Sequence, residues 1–149
     1  MLLGLLGVGA AGPAAALLSG CGSGEPDPLV ALIKRARRDA ALVDAILATR
    51  PVGAALAGRL GPVAEARRQH AGALTAVLGD SAPSPKETAP AADTNPPSED
   101  TDGALSRVRA ALDEGRKQAA ALVLSVPRAQ AGLVGSIAAC CGAYRALLE

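Results

Sequence analysis

Apolar residues recur at alternating steps of four and three along much of the chain, the spacing that places side chains on one helix face. The first such stretch opens with Asp27 and Pro28, which suit the N-cap and the first position of a helix. Pro51 ends it near Thr49 or Arg50. Its apolar stripe consists of Leu29, Ile33, Ala36, Ala40, Val43 and Leu47. These signals predict a first helix from Pro28 to about Thr49.

The second helix is predicted to follow a connection that is punctuated by glycine. Residues 52–61 form this connection, with a helical turn around residues 54–57. Pro62 is expected to start the helix, which runs to about Leu78 and closes at Gly79 and Asp80. The predicted inward stripe consists of Val63, Ala66, His70, Leu74 and Val77.

Two further helices are predicted in the C-terminal third of the chain. The third begins near Asp102 or Gly103, and the fourth runs from about Arg128 to Leu148 after Pro127. The third helix carries the stripe Leu105, Val108, Leu112, Gly115, Ala119, Leu122 and Val126, in which Gly115 allows close helix approach. The fourth is apolar on two adjoining stripes, Leu133, Ile137, Cys140, Tyr144, Leu147 and Val134, Ala138, Cys141, Leu148. We therefore expect the fourth helix to be the most buried.

Residues 81–101 separate the two predicted helix pairs. This segment is rich in Pro, Ser, Thr and acidic residues and has almost no large apolar side chain, so it cannot bury enough surface to offset its ordering entropy. We predict a disordered loop there. No stretch alternates in the manner of a strand, so residues 27–149 are predicted to form an all-α, mostly antiparallel four-helix bundle.

The N-terminal stretch has a different character from the rest of the chain. Residues 1–20 contain no charged side chain, and the run is too dilute in Gly and Ala, and too broken by Pro13, for a stable membrane span. Leu18, Ser19, Gly20 and Cys21 follow, and this order resembles a bacterial lipobox. An ordinary cleaved signal or a short membrane helix are the alternatives.

The lipobox resemblance implies a signal peptide at residues 1–20 and a lipidated Cys21. Its thiol would carry a diacylglycerol whose acyl chains, such as palmitate, anchor the protein to the extracytoplasmic face of the cell membrane. Residues 21–26, rich in Gly and Ser, then form a flexible tether. The basic start that is typical of a secretory signal is missing, so we expect the true start codon to lie upstream.

Composition narrows the classes of function. The chain has 149 residues, a net charge of +1, no Phe or Trp and one Tyr. A nearly neutral chain with almost no aromatic side chains is a poor candidate for binding nucleic acid. It contains no phosphate-binding loop, no nucleophile elbow and no hydrolase triad. We therefore predict no catalytic residues and no cofactor, and assign no enzymatic activity.

A four-helix bundle with a crossover resembles the ferritin-like architecture, in which Glu-x-x-His places two metal ligands on one helix face. In this chain Arg67 stands three residues before His70, and Glu65 lies about 140° away around the helix. The predicted inward stripes of the other helices carry no Asp or Glu. The sequence therefore predicts no metal site, although a degenerate ferritin-like arrangement without metal stays open.

Three residues remain as weaker candidates. His70 is the single histidine and is expected to be a hydrogen-bonded core or boundary residue, with a pH-responsive or ligand-contacting role as the alternative. Cys140 and Cys141 point about 100° apart on a helix, so a bridge between them would strain the backbone. We expect two small apolar core residues. An intermolecular disulfide, a redox site and a soft-metal site are the alternatives.

As a whole, the chain is similar to the small Ala-rich lipoproteins of actinobacterial type, and residues 131–140 are similar to a group related to ferritin-like proteins of unknown function. The leading hypothesis is a lipid-anchored helical module that acts through contact with an unknown protein partner. A second is a degenerate ferritin-like protein that binds a small apolar or lipid ligand. A third is a cysteine-based redox or metal-binding protein.

Overall fold

The computed structural model describes residues 27–49, 53–85 and 100–149. They form four α-helices, which we number α1 (Pro28–Thr49), α2 (Ala54–Leu78), α3 (Thr101–Leu122) and α4 (Arg128–Leu147). A short 3-10 turn, Gly79–Ser81, extends α2. The described residues contain no strand. The predicted all-α bundle of two helix pairs is therefore confirmed.

The helices pack as two hairpins, α1 with α2 and α3 with α4, and the hairpins meet through α1–α3 and α2–α4 contacts. Every neighbouring pair is antiparallel. Arg35 donates a hydrogen bond to Gln118. Asp39, which is later in α1, lies beside Gly115, which is earlier in α3, so these two helices run in opposite directions. The bundle thus runs up, down, down and up, and residues 86–99 join opposite ends of it.

The ends of the helices follow from local chemistry. The Asp27 carboxylate accepts a hydrogen bond from the backbone N–H of Leu29, and Asp100 accepts one from the N–H of Gly103. Both side chains thereby satisfy amide groups that the first helical turn leaves without partners. Gly79 ends α2 with a positive φ of 54°, a conformation that glycine adopts without a Cβ penalty.

Pro62 does not start a helix, as the sequence predicted, but lies inside α2. An interior proline loses a backbone hydrogen bond and clashes with the preceding turn, which costs about 3 kcal/mol in helix propensity. Leu60 is completely buried just before it, and Leu56 packs against the core. Burial of these leucines offsets the local penalty, because tertiary packing overrides propensity.

The most buried helix is α1, which corrects the expectation for α4. Its buried residues are Leu29, Leu32, Ile33, Ala36, Asp39, Ala40, Val43 and Ile46. Within α4 only Val134, Ile137 and Cys141 are buried, and Leu147 is 67% exposed. The prediction failed because Ala and Gly give α4 an apolar composition without defining a buried face. Ala is common both in the core of a bundle and on its exposed side.

Several predictions fall outside the described residues. These are the signal peptide at 1–20, the lipobox with Cys21, the tether at 21–26 and positions 86–99 of the predicted loop. The described start of that loop packs on the bundle, since Pro83 is buried and its carbonyl accepts a hydrogen bond from Arg37. No helix among the described residues has the length and apolar character needed to cross a membrane.

Candidate functional site: a buried Asp39–Arg67 cluster

A buried ion pair lies at the centre of the bundle. The Arg67 side chain of α2 is 2% exposed and the Asp39 side chain of α1 is 6% exposed. Arg67 donates to one oxygen, Asp39 Oδ2, from Nη2 at 2.8 Å and from Nε at 3.1 Å. Such burial removes both charges from water, so the pair persists only through close geometry and further hydrogen bonds.

Those further bonds come from the other side of the guanidinium. Arg67 Nη1 lies 3.0 Å from His70 Nδ1 and donates to Cys141 Sγ at 3.2 Å. Arginine has no acceptor, so His70 Nδ1 must accept, and the neutral ring carries its proton on Nε2. Arg67 therefore links α1, its own helix and α4 in one network.

The remaining helix contributes space rather than a side chain. Gly115 of α3 faces the cluster, and a Cβ at this position would lie 3.2 Å from Arg67 Nη2. It would also lie 3.6 Å from both Asp39 Oδ2 and Cys141 Sγ. The sequence predicts that Gly115 permits close helix approach, whereas in the structure the three nearest atoms to this space are side-chain atoms, so that the glycine makes room for the guanidinium of Arg67.

Burial favours the uncharged form of the four titratable side chains around Arg67, which are Asp39, His70, Cys140 and Cys141. It raises the pKa of Asp39, against the opposing attraction of Arg67. Burial, and secondarily the positive charge of Arg67, lower the pKa of His70 to about 4. Burial also raises the pKa of Cys140 and of Cys141, with Arg67 again opposing. At neutral pH the histidine is therefore uncharged and both cysteines are thiols.

The structure places the three weaker candidates at different depths. His70 is half-buried and hydrogen-bonded, as the sequence predicted for a boundary histidine. Cys141 is buried within the cluster, whereas Cys140 is only partly buried, and neither forms a disulfide. Because thiolates rather than thiols are the nucleophiles, the raised pKa of each cysteine makes it a weak one.

The sequence-based inference that the inward stripes carry no Asp or Glu was wrong, because Asp39 lies on the buried face of α1. The predicted stripe of α2 was also rotated, so that it included Val77, which is exposed, and omitted Arg67. A signal was present: Asp39 continues the buried row Leu32, Ala36, Val43, Ile46, and Arg67 continues the row Leu60, Val63, Ala64, Ala71, Leu74. One acid and one base on facing stripes indicate a buried pair.

The polar side chains of the cluster bond one another across the bundle. Among the described residues, no group of three or more His, Cys, Asp or Glu side chains is placed to hold a metal ion. Within that same part of the chain, every fully buried side-chain nitrogen or oxygen has a hydrogen-bond partner. A satisfied polar network of this kind holds helices in one register.

Comparison with known proteins adds no relative. No protein-family model, no curated protein and no solved structure matches the chain.

Proposed function

We propose that the chain is a lipid-anchored helical module that acts through protein contact on the extracytoplasmic face of the cell membrane. The observation that carries this proposal is that residues 1–20 carry no charged side chain and that Leu18-Ser19-Gly20 lead directly into Cys21. An apolar run, small residues before a cysteine and a Gly/Ser exit occur in the order that lipoprotein processing requires.

The bundle supports a role as a scaffold. Its centre is occupied by its own ion pair, and Arg67 of that pair also bonds His70 and Cys141. The thiols nearest to it are protonated, as their raised pKa values indicate. Because its interior is filled by its own side chains, we expect the bundle to bind a partner protein through the outer surface of its helices.

Affinity capture of the full chain from solubilised membranes, followed by mass spectrometry, tests the proposal. We expect a diacylglyceryl modification on Cys21 and one stable co-purifying protein. The Cys21→Ala variant should leave the membrane fraction, and Cys140→Ala should stay in it. Membrane retention of Cys21→Ala, or an unmodified Cys21 in the mature chain, would overturn the anchor, and capture without any stable partner would overturn the contact role.

A second candidate is a degenerate ferritin-like protein that binds a small apolar or lipid ligand. The observation that favours this scaffold is the up, down, down, up order of antiparallel neighbours with one long connection, which is the arrangement of ferritin-like bundles. Arg67 also holds the place, three residues before His70, where that group has a glutamate ligand. Native mass spectrometry of the purified chain distinguishes the candidates, because only the second expects an apolar molecule that is bound without a covalent bond, in addition to any lipid on Cys21.

A further inference from the structure

The end of the bundle from which the tether leads is defined by the start of α1. Asp27 precedes α1, and the Arg35–Gln118 bond sets the level of α1 against α3. Eight residues back along α1 from Arg35 correspond to eight residues forward from Gln118, because the helices are antiparallel. The turn at residues 123–127, between α3 and α4, therefore lies at the level of Asp27. We call this the tether end.

The turn at the tether end is apolar where turns are ordinarily polar. Its residues are Val123, Leu124, Ser125, Val126 and Pro127, and Leu124 is 97% exposed. No other described large apolar side chain is as exposed. Val123 and Val126 are partly buried against the core, so the outward leucine lies in sequence between two valines that contact the bundle.

Hydrogen bonds hold this turn in shape. The N–H groups of Ser125 and Val126 both donate to Leu122 O at 3.0 Å, and Ser125 Oγ donates to the same oxygen at 3.1 Å. With the bond from the N–H of Val123 to Ala120 O, three N–H groups of the turn are thus already partnered when Leu124 leaves water. This matters because an unpartnered amide is costly to place in an apolar medium.

The charges at the tether end are mixed. Arg128 at the start of α4 is exposed, and so is Asp80 in the turn after α2, while the Asp27 carboxylate caps α1. Because one positive side chain stands against two negative ones, attraction to anionic headgroups is not the feature that distinguishes this end. An apolar side chain flanked by charges instead matches the boundary between headgroups and acyl chains.

We propose that the Leu124 turn inserts into the membrane interface and orients the bundle with its tether end against the bilayer. The inference rests on the proposed lipid anchor at Cys21. From Cys21 to Asp27 the chain spans at most about 20 Å, so an acylated Cys21 keeps the tether end next to the lipid. The opposite end, with Leu147, is then turned towards the partner protein.

The natural absence of tryptophan supplies the experiment. The acylated full chain carrying Leu124→Trp is reconstituted in phosphatidylcholine vesicles that contain brominated lipids, which quench tryptophan on contact. Leu147→Trp is the matched control, because Leu147 is also exposed, at 67%, but lies at the end of α4 on the far side of the bundle. We expect blue-shifted emission and at least two-fold quenching for Leu124→Trp, and neither for Leu147→Trp.

The outcomes separate the insertion from the anchor. Mass spectrometry of the same samples reports acylation, and an unmodified Cys21 would overturn the proposed function together with this inference. An acylated chain in which Leu124→Trp emits as in water would overturn the insertion alone. Equal quenching at both positions, or quenching of Leu147→Trp only, would also contradict the proposed orientation. Replacing half of the phosphatidylcholine by phosphatidylglycerol should change the quenching by less than two-fold, and a larger gain would show that charge drives the contact.

Discussion

Arg67 is the residue on which the four helices converge. It bonds Asp39 of α1 and Cys141 of α4, and it fits against Gly115 of α3. Replacing a buried ion pair by apolar residues of similar size is often neutral for stability, whereas removing one partner leaves a buried charge without compensation. The pair therefore specifies how the helices align more than it adds free energy.

Breaking the pair should be far more harmful than removing it. We expect Arg67→Met to lower the free energy of unfolding by about 3–5 kcal/mol, because Asp39 then stays buried and unpaired. The double variant Asp39→Leu with Arg67→Met should recover most of that loss. Urea unfolding followed by circular dichroism measures each change.

The adjacent Arg68 provides the control for this series. It pairs with Asp44 and Glu65 on the surface, with both Arg68 and Asp44 side chains 49% exposed. Because water screens exposed pairs, Arg68→Met should leave the unfolding midpoint nearly unchanged. A double variant as unstable as Arg67→Met alone would show that the network is needed for stability itself.

His70 should make the stability of the fold depend on pH. Its pKa falls from 6.5 to about 4 in the folded chain, so between these values the unfolded chain binds more protons. The stability that depends on neutral His70 is therefore fully present above pH 6.5, and it is lost as the pH falls towards 4. The loss should stay below about 3 kcal/mol, because the half-exposed ring is partly screened by water.

His70→Asn isolates this effect, since its amide oxygen can accept from Arg67 but does not titrate. Urea unfolding at pH 7 and pH 5 should show a smaller decrease for the variant than for the natural chain. The contribution of Asp39 is common to both proteins and cancels in the difference. An NMR titration that gives His70 a pKa near 6.5 would contradict the partial burial of its ring beside Arg67.

At the scale of the elements, sequence patterns located the helices better than they oriented them. Asp27, Asp100 and Pro127 fix helix starts through local chemistry, so the bounds of α1, α3 and α4 could be predicted within a few residues. The face that α2 turns towards the core could not be predicted, because Ala lies on every side of this helix. The buried pair then fixes the register through Arg67, a residue that hydrophobicity alone assigns to the surface.

Pro62 weakens α2, and its removal should strengthen the fold. Proline is exposed at this position and lacks the N–H that an interior helical residue donates to the preceding turn. We expect Pro62→Ala to raise the free energy of unfolding by about 2 kcal/mol, after allowing for the greater freedom of the unfolded chain. Thermal unfolding measures the gain. A loss of stability would indicate that Leu60 reaches the core only through a bend at Pro62.

Glycine substitutions should have opposite effects in α3 and α2. A Cβ at Gly72 would meet no described atom within 4 Å, so Gly72→Ala should raise the free energy of unfolding by about 0.5–1 kcal/mol. Gly115→Ala gains the same helix propensity but presses on the hydrogen-bonded guanidinium of Arg67, with an expected net loss of about 1–2 kcal/mol. Urea unfolding compares the two variants, and a stabilising Gly115→Ala would mean that the cluster shifts freely.

For the whole molecule, the number of helices and their pairing could be read from the prolines and the apolar spacing. Which helix lies beside which could be learned only from the structure. The sequence patterns allow α3 to pack antiparallel to α1 or antiparallel to α2 equally well. Arg35–Gln118 and the approach of Gly115 to Asp39 select α1. Because α3 is antiparallel to α1, the connection between α2 and α3 must span the bundle from one end to the other.

That topology sets a minimum length for the connection. The chain after α2 returns alongside α1, where Arg37 donates to the carbonyls of Pro83 and Ser84. From the level of Arg37, the start of α3 at Thr101 lies about 24 Å further along the bundle, at 1.5 Å per helical residue. Replacing residues 86–99 by a Gly/Ser linker of equal length should therefore preserve the helical signal and the oligomeric state of the natural chain.

A linker of about three residues reaches only about 14 Å between positions 85 and 100, which is too short for this path. We expect that variant either to exchange its α3–α4 hairpin with a second copy or to lose its helical signal, because the network around Arg67 cannot form within one chain. Light scattering after size-exclusion chromatography and circular dichroism report the two results. A stable helical monomer with the short linker would mean that α3 pairs with its neighbours in the opposite direction, and the up, down, down, up order would then be wrong.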